Sequence, residues 1–247
     1  MSQLTPANLT IEGGHTRAGF LRKAGIGGAA LVGGGALLGA PSAAFAGHTD
    51  AIPDADILNY ALTLEYLEAT FYSEALGSSG TTGVPASAAT FDRHDITRAR
   101  QIARLGGRIR REAYGYLSDI RDHEITHVEF LRGQLGAAAV GPCKFDFSSA
   151  LGSVGSFLST AQLLENTGVM AYDGAIRYVD AGDALQAGAQ IATVEARHAS
   201  YLNLINGDSP FPSPFDEGKK PSEILAAASA FIVSCPAAVT ALFGRLP

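Results

Sequence analysis

The chain has 247 residues, of which 47% are hydrophobic and 17% are charged. This is enough apolar material for one well-buried domain with a short appendage. The formal net charge of −6 comes without a long run of one sign, and the basic clusters contain no interleaved aromatic residues. We therefore expect a single acidic domain and no nucleic-acid partner.

Residues 1–46 have the composition of an export signal peptide. Arg17, Arg22 and Lys23 precede an apolar stretch rich in Gly, Ala and Leu, and small residues follow that stretch. This order is typical of a signal that is removed on export. The basic part is similar to a twin-arginine signal, although Ala18 stands where the second arginine belongs. The alternative is an uncleaved membrane anchor, for which the apolar stretch is short, since a span needs about 20 residues.

Export sets the expected surroundings of residues 47–247, the mature domain. We expect this domain in the periplasm, the cell envelope or the extracellular space, and at a membrane only if the signal is uncleaved. Disulfides persist in these compartments, so a bridge between Cys143 and Cys235 is favoured over two free thiols. The cysteines have no CxxC or Cys/His spacing, and a structural zinc is therefore not expected.

The first half of the mature domain predicts two long helices. Residues 54–75 carry apolar side chains at helical spacing after an Asp cap signal, and the pattern ends at Gly77. Residues 78–90 are rich in Ser, Thr and Gly and predict a surface loop. A second helical pattern covers residues 97–135 and is weakened by two glycines at 106–107.

The second half predicts two more helices, at residues 156–179 and 184–205, joined by a break short enough to make them antiparallel neighbours. Residues 137–155 have no helical period, and their length allows the chain to cross from one end of a bundle to the other. Two short helical pieces at 222–233 and 237–243 follow a Pro/Gly/Ser-rich loop, and strand signals are weak throughout. The sequence therefore predicts an all-α four-helix bundle with a long crossover between helices 2 and 3 and short C-terminal helices.

Two Glu-x-x-His pairs carry the main chemical signal. Glu124 and His127 lie in the second predicted helix, and Glu195 and His198 lie in the fourth. Residues three apart share a helix face, so each pair can direct a carboxylate and an imidazole at one point. This mixture of oxygen and nitrogen ligands, without a thiolate, suits iron or manganese.

The first and third predicted helices each add a glutamate on a core-facing side. These residues are Glu65 and Glu165, and Glu68, one turn after Glu65, is an alternative ligand or a hydrogen-bonding partner of one. Four buried carboxylates would balance two divalent cations, whereas without metal they would repel one another and lose hydration. If these glutamates and histidines were ordinary core residues without metal, they would need Lys or Arg partners, and the sequence does not offer such partners at matching positions. The sequence therefore predicts a two-metal site with six ligands: Glu65, Glu124, His127, Glu165, Glu195 and His198.

Three further side chains lie near the predicted ligands. Tyr72 and Tyr172 follow Glu65 and Glu165 by seven residues, about two helical turns along the same faces. Each tyrosine either has a functional role, by hydrogen-bonding a ligand or by carrying an electron hole, or simply fills the core. His123 adjoins the second-helix pair and is expected to point away from the site.

The chain order Glu, Glu-x-x-His, crossover, Glu, Glu-x-x-His resembles the ferritin-like superfamily. More narrowly, the chain resembles exported ferritin-like domain proteins that are often labelled desiccation-related. The segments that carry this resemblance are 59–72, 121–127, 145–147, 164–172 and 194–198. The resemblance implies the bundle fold and two iron or manganese ions, and it leaves room for a homo-oligomer. Ala18 is the departure, because members commonly carry twin-arginine signals.

Two classes of function remain open at this point. The first is an oxidoreductase in which the two ions act on dioxygen, peroxide or Fe²⁺, in ferroxidase or catalase-like chemistry. Each histidine would then give one ligand to one ion, while its Nδ1 hydrogen bond tunes the site. The second is a non-catalytic metal-binding or stress-protective structural protein. The Gly/Pro-rich tail and the export signal argue against a ferritin-type iron store.

Overall fold

The computed structural model describes residues 52–180 and 182–247, and the predicted export signal at 1–46 lies outside them. The described residues form α-helices and one pair of short strands, which confirms the all-α prediction. The helices are α1 (Asp54–Leu76), α2 (Arg93–Arg98), α3 (Arg100–Ala103), α4 (Gly107–Leu135), α5 (Val154–Ala175), α6 (Gly182–Asn206), α7 (Pro221–Ala228) and α8 (Ala237–Phe243). The strands are β1 (Lys144–Phe145) and β2 (Ile232–Ser234).

The bundle consists of two helix pairs, with α1 packed along α4 and α5 packed along α6, and α1 also contacts α5. α1 is enclosed on opposite sides, because Leu62 and Phe71 lie nine residues apart, point in opposite directions and are both 0% exposed. A helix that is buried on every side belongs to the centre of a domain. Within the described part of the chain, no helix combines the length and apolar character needed to cross a membrane.

The second predicted helix is shorter than the sequence pattern indicates. Residues 97–106 were expected to begin it, but they belong to α2, α3 and a turn, and α4 begins at Gly107. Gly106 and Gly107 have φ values of 61° and 52°, a left-handed backbone that interrupts a helix and that glycine adopts readily. The weak point in the pattern is therefore a true helix boundary.

The crossover between α4 and α5 is joined to the C-terminal extension (residues 207–247). β1, in the crossover, pairs antiparallel with β2, and the expected disulfide joins Cys143 to Cys235. The helix predicted at 222–233 is wrong in its last part, because α7 ends at Ala228 and β2 begins at Ile232. The strand forms there because β1 offers unpaired backbone groups, a partner that lies far away in sequence.

Aromatic side chains fill the core beside one end of the predicted site. The ring centroid of Phe71 lies 5.2 Å from that of Phe147 and 5.4 Å from that of Phe157. The Tyr72 ring meets Phe157 edge-on, with centroids 5.9 Å apart. Such contacts fix ring orientation. The hydroxyl group of Tyr72 is therefore held in a defined direction.

Candidate metal centre

The six residues predicted as ligands come from four helices and meet in the middle of the bundle. We call these residues the Glu/His cluster. α1 supplies Glu65, α4 supplies Glu124 and His127, α5 supplies Glu165, and α6 supplies Glu195 and His198. The glutamates are 0% exposed, and the histidines are 8% and 5% exposed. The fold therefore concentrates four carboxyl groups in a water-excluded space, and a metal-ligand role for each residue stays a prediction.

The cluster divides into two overlapping groups that could each hold a metal ion. One group combines Glu65 and His127 with Glu124 and Glu195, and the other combines Glu165 and His198 with the same two glutamates. Within each group the ligand atoms all lie within 4.8 Å of one another. Glu124 and Glu195 are thus shared between the groups, so the arrangement has a centre and two ends.

Both histidines turn Nδ1 toward the carboxylates. Nδ1 of His127 lies 3.1 Å from Oε2 of Glu65 and 3.2 Å from Oε2 of Glu124. Nδ1 of His198 lies 3.1 Å from Oε2 of Glu165. In the metal-free structure the Nδ1 hydrogen bonds of both histidines therefore go to carboxylates of the cluster. Helical side chains tilt toward the helix N-terminus, where the glutamate three residues earlier lies, and Nδ1 is the ring nitrogen nearer the backbone.

The two tyrosines each hold a glutamate on the opposite helix. The hydroxyl group of Tyr72, on α1, donates to Oε1 of Glu165, on α5, at 2.6 Å. The hydroxyl group of Tyr172, on α5, donates to Oε1 of Glu65, on α1, at 2.5 Å. Of the two roles considered from the sequence, the structure has the hydrogen bond to a cluster carboxylate. The contacts are reciprocal, so the glutamate of each group is oriented from across the bundle.

His123 is the side chain that sequence reasoning placed incorrectly. It belongs to neither group, yet its Nδ1 lies 2.9 Å from Nε2 of His198, and the two rings stack with centroids 5.2 Å apart. His123 itself is exposed. No spacing rule could have found this contact, because it joins α4 to α6. It leaves the outer nitrogen of His198 bonded to a surface imidazole, the kind of outer partner that fixes a ligand ring.

Glu68 is a fifth carboxyl group beside the cluster. It is 4% exposed and lies outside both groups. α5 approaches closely at this point because residue 168 is glycine: a Cβ atom there would lie 2.5 Å from Oε2 of Glu195 and 3.3 Å from Oε1 of Glu68. Any larger residue at 168 would displace a carboxylate of the cluster.

The electrostatics of the cluster favour cations. Burial raises the pKa of Glu195 well above its ordinary value, and the charge of Glu124 adds to the effect. Burial also raises the pKa of Glu65 to about 7. Burial opposes ionisation of Glu124 as well, but hydrogen bonds from His127 and His198 more than offset it and hold the pKa of that carboxyl below its usual range.

The pKa values of the two histidines are raised as well, but for a histidine a raised pKa favours the charged form. Burial lowers the pKa of His127, but the charge of Glu65 and hydrogen bonds to the glutamates outweigh burial and raise it to about 11. In the same way Glu165 and Glu124 raise the pKa of His198 to about 10. In the metal-free cluster, the protons on these histidines therefore supply the positive charge that bound metal ions would supply.

The donor set fits a pair of divalent metal ions. Both carboxylate oxygens of Glu195 are buried and accept no hydrogen bond from the described residues. Buried polar atoms normally have partners, and leaving a charged one without a partner is costly. Bound cations would supply the missing partners, and carboxylate oxygen with imidazole nitrogen is a ligand mixture that iron and manganese accept.

Comparison with known proteins agrees with the fold. A fission yeast protein, Protein rds1 of Schizosaccharomyces pombe (strain 972 / ATCC 24843), is 32% identical over 114 residues. That match covers 46% of this chain and 28% of the yeast protein, so the chain spans well under two thirds of that relative. The family model of the ferritin-like domain matches residues 53–208, a range that holds all six cluster residues. Since this range is more than half of the 247 residues, the chain belongs to the ferritin-like domain family.

Proposed function

We propose that the Glu/His cluster binds two iron or manganese ions and that the protein uses them as an oxidoreductase acting on dioxygen, peroxide or Fe²⁺. The observation that carries the proposal is the overlap of the two groups at Glu124 and Glu195. Two separate sites would need no common ligand. Carboxylates that belong to both groups keep two ions together, so that both can act on one small molecule.

Each side chain has a separate task in this proposal. Glu124 and Glu195 belong to both groups and would help to hold either ion, while Glu65 and Glu165 would each help to hold one. Tyr72 and Tyr172 hold the latter pair by donating to Oε1 of each glutamate, so that Oε2, which faces Nδ1 of a cluster histidine, is the oxygen on the metal side. The result is a donor set whose outer members are fixed by the protein before a metal arrives.

The chemistry of the metal pair follows from its electron count. When bound, two ions that each change by one electron supply the two electrons that, with two protons, convert dioxygen to hydrogen peroxide or hydrogen peroxide to two water molecules. The residues of the chain contribute the setting. The cluster glutamates are 0% exposed, and exclusion of bulk water strengthens every electrostatic interaction in the site.

The first test is metal stoichiometry followed by turnover. Protein freed of metal with a chelator is reloaded with Fe²⁺ without oxygen, or with Mn²⁺, and the bound metal is counted. We expect two ions per chain, with loss of both in Glu124→Gln, because this carboxylate belongs to both groups. His198→Ala should weaken one position more than the other. Glu217→Gln makes the same change at an exposed glutamate outside every candidate metal group of the described residues and is the matched control.

The loaded protein is then given dioxygen, hydrogen peroxide or excess Fe²⁺. Turnover of one of them that disappears in Glu124→Gln and persists in Glu217→Gln would support the oxidoreductase. Two bound ions with no turnover of any of the three would instead favour the non-catalytic metal-binding alternative. Failure of the wild-type protein to bind metal would refute both.

A further inference from the structure

A small cavity lies between α1, α5 and the C-terminal extension. Leucines of α1 and α5, together with Ala228 and Phe231, make its wall mostly apolar. Its volume is about 40 Å³, whereas a single water molecule needs roughly 10–15 Å³. Two lining residues lie at the surface, since Leu163 is 57% exposed and Ala227 is exposed. A molecule somewhat larger than water can therefore enter from solvent.

The inner end of the cavity lies against the Glu/His cluster. Gly168 and Glu68 both line the cavity. A Cβ atom at position 168 would lie 2.5 Å from Oε2 of Glu195, so only a residue without a side chain separates the cavity from that carboxylate. Glu195 is one of the two glutamates common to both groups. The cavity therefore ends where two bound ions would share a ligand.

The outer wall comes from a part of the chain beyond the family match. The match ends at residue 208, whereas Ala227, Ala228 and Phe231 belong to the C-terminal extension. The extension is fixed in place, because the backbone N–H of Asp146 donates to the carbonyl oxygen of Phe231 at 3.0 Å. The nearby disulfide and the pairing of β1 with β2 add to this hold. The wall is thus a feature that this chain adds to the bundle.

The lining selects among the small molecules that the proposed function allows. Glu68 and Thr167 are the polar side chains of the wall, and the other lining residues are apolar or glycine. Fe²⁺ would lose its hydration shell in such a passage, and hydrogen peroxide would lose most of its hydrogen bonds to water. Dioxygen is neutral and apolar and loses neither.

We infer that this cavity is the passage by which dioxygen reaches the Glu/His cluster, with the C-terminal extension as its outer wall. The inference rests on the proposed function for its reaction but not for its binding step, because the cavity is present in the polypeptide alone. Entry of an apolar gas can therefore be measured without metal.

Xenon is the probe for binding, since apolar cavities take it up. Crystals of the full metal-free chain are pressurised with xenon, and we expect anomalous density between α5 and Phe231. Ala227→Phe should abolish this density by filling the rim. Ala226→Phe places the same side chain at the neighbouring exposed position outside the lining and should leave the density unchanged. Absence of xenon from the wild-type cavity would overturn the inference.

The kinetic measurement uses the reduced, metal-loaded protein mixed with dioxygen. Ala227→Phe should lower the second-order rate constant of metal oxidation about tenfold at unchanged metal content, while Ala226→Phe keeps the wild-type rate. Leu163→Trp narrows the same rim and replaces Ala227→Phe if that variant folds poorly. Equal rates in wild type and both rim variants would overturn the passage. Xenon binding without any reaction with dioxygen would overturn the passage and the proposed reaction with dioxygen, and would leave an apolar binding cavity.

Discussion

Replacing Glu195 by glutamine should stabilise the metal-free protein and, at the same time, abolish its stabilisation by metal. Both oxygens of this buried side chain accept no hydrogen bond from the described residues. Burial, followed by the charges of neighbouring glutamates, raises the pKa of this carboxyl well above its ordinary value of 4.5. Glutamine has nearly the same shape, carries no charge and can donate to the neighbouring carboxylates.

The magnitude follows from the cost of burying this carboxyl without a hydrogen-bond partner. The sign of the pH dependence follows from proton linkage: a carboxyl whose pKa is raised on folding costs no stability below its unfolded pKa of 4.5 and costs more as the pH rises above that value. A buried acceptor left without a partner costs about 1–3 kcal/mol of unfolding free energy, and glutamine should recover about that much at pH 7. For a domain of this size the gain corresponds to a rise in Tm of roughly 2–12 °C.

The assay is thermal unfolding of chelator-treated protein at pH 4 and at pH 7, with and without added metal. We expect Glu195→Gln to unfold at a higher temperature than wild type at pH 7, with little difference at pH 4, and to lose the stabilisation by Mn²⁺ or Fe²⁺. Glu217→Gln makes the same charge change at an exposed position and should do neither. An unchanged or lower Tm of metal-free Glu195→Gln at pH 7 would refute the reasoning about the buried carboxylate.

Three further outcomes are expected. Metal affinity should rise between pH 6 and pH 8, because His127, whose pKa is raised to about 11, must lose its proton when metal binds. Calorimetry in buffers of different ionisation enthalpy would detect the released proton, and a pH-independent affinity would contradict this prediction. Tyr72→Phe removes the hydrogen bond to Glu165 and should lower the unfolding free energy of the metal-loaded protein, measured with denaturant, by about 1.5–3 kcal/mol. An unchanged unfolding free energy would contradict this. Replacing Cys143 and Cys235 by serine opens a loop closed by two cysteines 92 positions apart and should lower the unfolding free energy by up to about 4–5 kcal/mol. Equal denaturation midpoints with and without the disulfide would contradict this.

The residues of the Glu/His cluster were accessible from sequence because helix geometry is local. A spacing of three residues places Glu124 beside His127, and Glu195 beside His198, in any helix that contains them. Glu65 was preferred over Glu68 from its apolar neighbours, and Glu65 is the one found in a group of the Glu/His cluster. The helix boundary at Gly106 and Gly107 was visible only as a weak point, because a glycine pair lowers helix propensity without fixing where the chain turns.

The contacts between helices were beyond the reach of the sequence. The reciprocal bonds of the two tyrosines depend on how far α1 and α5 are shifted along each other, and the contact of His123 with His198 depends on how α4 faces α6. Packing and loop lengths set these shifts, and no residue spacing encodes them. The same is true of the strand pairing of β1 with β2, whose partners lie far apart along the chain.

The sequence by itself determined the class of fold and the chemical identity of the cluster, since both follow from periodicity and residue type within single helices. Tertiary structure decided which carboxylates are shared, which histidine nitrogen faces them and where the apolar cavity meets them. These features arise from the packing of four helices and a C-terminal extension against one another. The physical reason is that intra-helix neighbours are fixed by a constant rise and turn, whereas inter-helix neighbours are fixed by the best packing of the whole core.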